Sequence, residues 1–136
     1  MIPFPVKSVK LTGSSDKEVI KKAQDYFKLI GRKSKRQPYV RSAYFDKQKI
    51  FFTYFWKHFY QKPPAERRRR LQLLPCAIEL IQKSRNEPES ITNTSKITEL
   101  FHRFTGVTKN KEIFFVQIKE NRRTDRKEFM SVFPKK

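Results

Sequence analysis

A chain of 136 residues reads as one ordinary domain, long enough to build a core without a disulfide or metal staple. Apolar residues make up 37% and aromatic ones 14%, with thirteen Phe as the main core stock, which excludes a compositionally disordered chain. Thirty-two Lys and Arg against thirteen Asp and Glu leave a formal charge of +19, which opposes compaction and makes a polyanion the natural partner.

Residues 1–12 read as extended: Pro3 and Pro5 disfavour helix, while Val6, Val9 and Leu11 support a short leading strand. No apolar run here suits a signal-peptide core, and no segment approaches the roughly 20 apolar residues of a membrane span. The simplest destination is therefore cytoplasmic. Ser14 or Ser15 caps a helix running to about Ile30, with Asp16 and Glu18 at its positive end and Gly31 stopping it.

Residues 32–41 form a basic linker holding Arg32, Lys33, Lys35, Arg36 and Arg41. It is either a solvated loop or an arm for phosphates, to which Tyr39 adds a stacking surface. Residues 40–52 predict a strand or hairpin turning at Asp46-Lys47-Gln48-Lys49, followed by a helix over 53–60 capped by Thr53. A continuous helix over 49–61 competes, because Phe52, Phe55, Trp56 and Phe59 also keep helical spacing. Pro63 and Pro64 end that element, and Pro64 or Ala65 opens another helix over about 66–74.

Arg67, Arg68, Arg69 and Arg70 point in successive directions around that helix, so they either flank a phosphate backbone or coat a solvated surface. Pro75 interrupts the pattern before Cys76, Ala77, Leu80 and Ile81 resume an amphipathic turn or two. Cys76 is the lone cysteine, which excludes an internal disulfide and a thiolate metal cluster and reads as a small buried side chain. Residues 85–98, with Pro88 and a run of Asn, Ser and Thr, read as a polar loop.

Residues 99–134 then predict a meander of three strands, about 99–107, 112–120 and 127–133. Leu100, His102 and Phe104 share one side of the first strand, with Phe101, Arg103, Thr105 and Val107 opposite. In the third, Phe129, Ser131 and Phe133 alternate with Met130 and Val132. Helices first and antiparallel sheet second make an α+β fold.

The chemistry-bearing residues are few. Histidine titrates nearest neutral pH, so His58 and His102 are the candidates for accepting and returning a proton in ribose-directed cleavage of RNA. His102 sits beside Arg103, and Lys119 falls on the paired strand; together they would hold a scissile phosphate and stabilise the developing anion. Ser131 faces either that site or the core. For each histidine the plain alternative is a structural hydrogen bond. Tyr39, Arg41, Lys57, Arg67, Arg70, Arg122, Arg123 and Arg126 are the candidates for gripping the substrate's backbone, or else generic surface charge. Neither histidine belongs to a dense ligand pattern, and Gly13, Gly31 and Gly106 assemble no phosphate-cradling loop, so no metal or nucleotide cofactor is expected.

Lys49-Ile50-Phe51-Phe52-Thr53, Phe55-Trp56-Lys57-His58, Leu74-Pro75-Cys76-Ala77-Ile78, His102-Arg103-Phe104 and the run from Glu128 to Pro134 (EFMSVFP), in that order, resemble the barnase, EndoU, colicin-type and RelE-like superfamily over about 40–134. The resemblance implies N-terminal helices on a curved antiparallel sheet, and a metal-independent endoribonuclease, often a toxin held by an acidic antitoxin or immunity protein. It implies His58 on a helical active-site motif, His102-Arg103 at the start of the sheet, Lys119 at its centre and Ser131 on the last strand near the cleft. A nucleic-acid-binding module without chemistry, or a toxin-like protein that binds another protein, are the alternatives.

Overall fold

The computed structural model describes residues 2–32, 37–59, 61 and 64–135 as an α+β fold, with four helices and a mixed sheet curled into a half-barrel. In chain order the elements are β1 (Phe4–Pro5), α1 (Asp16–Arg32), β2 (Tyr39–Arg41), β3 (Lys49–Phe51), α2 (Thr53–Phe59), α3 (Pro64–Gln72), α4 (Leu74–Lys83) and β4 (Glu89–Thr92). Three long strands follow: β5 (Glu99–Val107), β6 (Ile113–Asn121) and β7 (Lys127–Pro134). Lys33, Lys35 and Arg36 of the expected basic linker, and Pro63, lie outside the described residues.

The sheet runs β1-β5-β6-β7-β3-β2, and β4 pairs with β5 as well. β1 lies parallel to β5 and β3 parallel to β7, which corrects the expectation of an antiparallel sheet. Both parallel pairs join a short early segment to the late meander across intervening helices, the long crossover that parallel pairing requires. β4 falls inside the stretch expected to be a polar loop. Between β2 and β3 the chain turns through Asp46 and Lys47, both at positive φ, so the hairpin forms and the continuous helix over 49–61 does not.

α1 starts with a reciprocal cap. The Ser15 hydroxyl accepts the Glu18 amide hydrogen, and the Glu18 carboxylate accepts that of Ser14 at 3.0 Å. α3 stops at Gln72, and Pro75 sits in the first turn of α4, where its missing N–H costs nothing. The interruption therefore precedes Pro75 instead of falling on it. α4 is buried from Leu74 to Ile81 and packs against the sheet so closely that a Cβ on Gly106 would lie 2.8 Å from Leu80 and collide with the Phe114 ring. Phe52 and Phe55 each pack a tilted ring against Phe129 in this core, with centroids 5.0 and 4.9 Å apart.

The N-terminal segment is strapped across α4. Val6 donates its amide hydrogen to the Val107 carbonyl at 3.0 Å, and Leu11 donates to that of Gln72 at 2.9 Å. The buried Glu79 carboxylate accepts the amide hydrogens of Lys7 and Ser8, each at 2.8 Å, and the Ser8 hydroxyl at 2.6 Å. Burial alone would raise the Glu79 pKa, but those three donors, with Lys83, outweigh it and hold the carboxyl below its ordinary value. Burial, reinforced by Glu79, pushes the neighbouring Cys76 thiol up to about 11, which leaves little thiolate for reaction at neutral pH.

Candidate active site

Residues paired across neighbouring strands share a face of the sheet. The row His102, Ile118, Phe129 lies on the core side, where α4 packs, and is buried. The rows Arg103, Gln117, Ser131 and Phe101, Lys119, Glu128 face the other way. A register shift beside Gln117 and Ile118 leaves Met130 as an extra residue in β7, so Phe129 turns into the core while Ser131 and Phe133 turn to the opposite face. Simple alternation had grouped those three together.

Helices α2 and α3 overhang this second face. Tyr54, His58, Gln61 and Arg70 close a cleft of about 350 Å³ whose floor is Gln117, Met130, Ser131 and Phe133. The His58 imidazole stacks on Tyr54 with centroids 4.1 Å apart, and the Lys119 ammonium lies 4.2 Å from the same ring. One aromatic ring thus bridges the imidazole and the ammonium. Lys119 also lies 3.5 Å from Glu99 and 3.9 Å from Glu128. Arg70 is tied to Glu66 one turn back and lies over the Phe133 ring at 5.4 Å. Arg103 reaches the same ring, and that of Phe115, at 5.5 Å each.

Four of the five expected catalytic side chains, His58, Arg103, Lys119 and Ser131, therefore share one face. His102 does not join them, because adjacent strand residues point to opposite sides. It is 5% exposed, its ring packs against Phe45, Nδ1 lies 2.7 Å from the Ser90 hydroxyl, and Nε2 lies 2.8 Å from the Glu120 carboxylate. An ionised carboxylate only accepts, so Nε2 carries a hydrogen in that bond. His102 is a stitch between β4, β5 and β6, correcting the expectation that it acts with Arg103 and Lys119.

The expected substrate-gripping residues scatter. Tyr39 and Arg41 lie on β2, and Arg126 stands before β7 with its guanidinium 4.0 Å over Phe51. Arg122 and Arg123 are exposed on the β6–β7 turn, away from the cleft lining, with Arg122 bonded to the Thr92 hydroxyl at 3.1 Å. Lys57 is exposed on α2, and Arg67 is half-buried on α3. Of the arginine run, Arg70 reaches the cleft, whereas Arg68 turns away to the Gly13 carbonyl at 2.7 Å.

Tyr54, Gln61, Gln117, Glu99 and Glu128 are site residues the sequence reading missed. Strand alternation carried a signal for Gln117, two residues before Lys119 on β6. A larger groove of about 1040 Å³ between α1, β2 and α4 has no histidine in its lining. Among the described residues no cluster of His, Cys, Asp and Glu is arranged to hold a metal ion, and no helix is long and apolar enough to cross a membrane. No protein-family model, curated protein or solved structure matches the chain, so its own geometry has to carry the functional argument.

Proposed function

We propose that this chain is a metal-independent endoribonuclease. The observation that carries the reading is one cleft lined by His58, Arg70, Gln117 and Ser131, on the sheet face that also bears Arg103 and Lys119. RNA brings its own nucleophile in the ribose 2′-hydroxyl, so a protein has only to move two protons and stabilise charge. The half-barrel with overhanging helices also suits the barnase, EndoU, colicin-type and RelE-like resemblance.

In this mechanism His58 takes the 2′-hydroxyl proton as the 2′-oxygen attacks phosphorus. Lys119 gives a proton to the 5′-oxygen as its bond to phosphorus breaks. The products are a 2′,3′-cyclic phosphate and a 5′-hydroxyl end. Arg70 and Arg103 meet the charge of the phosphorane-like transition state, while the Ser131 hydroxyl and Gln117 amide orient the phosphate.

The test is cleavage of single-stranded, hairpin and transfer RNAs in the presence of chelator, with the ends identified. Cyclic phosphate should accumulate, and His58→Ala should lower kcat/KM about 100- to 10,000-fold, the usual worth of a general acid or base. Intact RNA after incubation with folded protein, or His58→Ala as active as the parent, overturns the proposal.

A further inference from the structure

We infer that the β2–β3 ribbon is a second nucleotide subsite, which takes bases of single-stranded RNA flanking the bond cut in the cleft. This rests on the endoribonuclease reading and extends it along the same face. Register carries that face unbroken from Lys119 through Glu128 and Phe51 to Tyr39, so the rings of β3 and β2 continue the cleft's floor. From β6 to β2 is three strand spacings, roughly 14 Å. A sheet face of comparable width takes about two to three stacked bases in other RNA-binding folds.

The chemistry along this stretch alternates between ring and cation. Tyr39 and Phe51 meet edge to face with centroids 5.9 Å apart. Lys49 lies 4.8 Å and Arg41 5.5 Å from the Tyr39 ring, and Arg126 lies over Phe51. A nucleobase stacked on a ring outweighs an exposed cation over it, so an arriving strand gives its bases to the rings and its phosphates to the displaced cations. An acidic peptide offers charge without flat faces, and a duplex hides its base faces in the stack. Glu128 opposes phosphate at one point: it lies 3.3 Å from Arg126 and 3.9 Å from Lys119. The backbone therefore passes on either side of that carboxylate, which accepts from a ribose hydroxyl or a base amino group once Arg126 turns to a phosphate.

The experiment uses the His58→Ala chain, so that RNA is not consumed, with fluorescein-labelled deca-adenylate RNA and the dinucleotide ApA as probes. Tyr39→Ala should weaken decamer binding about 5- to 100-fold, the worth of one stacked base, and leave ApA unchanged. Tyr39→Phe should retain the parent affinity, and Arg126→Gln should weaken the decamer alone. Circular dichroism of each variant shows whether the ribbon stays folded. Decamer affinity unmoved by both Tyr39→Ala and Arg126→Gln overturns the subsite, even where the parent cleaves RNA. Tyr39-dependent decamer binding by a parent that cleaves nothing supports the subsite and removes the catalytic reading instead.

Discussion

His102 and His58 carry the same imidazole into opposite surroundings. The Ser90 hydroxyl and Glu120 carboxylate take both His102 nitrogens, and the ring is 5% exposed; His58 lies on a cleft wall against Tyr54. Removing the buried ring strands Glu120, whose side chain is 18% exposed, and opens a void under Phe45. His102→Ala should therefore cost about 1–3 kcal/mol in urea unfolding, since an unpaired buried polar group costs that much, and leave RNA cleavage by the folded fraction intact. Wild-type stability together with lost cleavage would reverse the two assignments. Strand parity in the sequence already separated His102 from Arg103 and Lys119. The approach of His58 and Arg70 to Ser131 was not legible there, because helix and strand come together by tertiary packing and no local pattern encodes it.

At the scale of elements, legibility followed burial. β5 came out of the sequence with its bounds because its inward residues alternate cleanly, from His102 to Phe104 to Gly106. β4 was hidden: all four of its residues are exposed, so an edge strand of Glu, Ser, Ile and Thr has no inward set to announce it. The Met130 bulge was hidden too, since one extra residue shifts parity without changing composition. The Lys7 and Ser8 amides of the N-terminal strap are held by one carboxylate, Glu79, and that gives this part of it a pH dependence. A carboxyl whose folded pKa is depressed contributes stability above its ordinary value near 4.5 and loses it as pH falls through the lowered folded value. Protection factors at Lys7 and Ser8, with the intrinsic exchange rate divided out, should therefore fall on acidification below about that ordinary value, ahead of those of the β5–β6 amides, and Glu79→Gln should lower them at neutral pH. Equal protection of the strap and of the meander at every pH would show that Glu79 does not hold it.

Over the whole molecule, the surplus of +19 acts on folding and on binding in opposite senses. Like charges repel most when packed together, so added salt screens a term that works against the folded state. The same salt weakens RNA binding, because each phosphate contact releases a condensed cation whose release is less favourable in concentrated salt. Arg41, Lys49, Arg70, Arg103, Lys119 and Arg126 lie on or beside one sheet face and are the cations available to a strand there. Engagement of about four to six phosphates gives a slope of about −3 to −4 in log affinity against log salt for deca-adenylate RNA. From 50 to 200 mM sodium chloride the thermal midpoint should therefore rise while that affinity falls. Neutralising Arg41 and Lys49 should flatten the slope by about one to two. A slope near zero would mean that the charge surplus holds no strand on this face, and a midpoint that fell with salt would mean that its ion pairs, such as Lys127 with Asp125 at 2.9 Å, outweigh the repulsion.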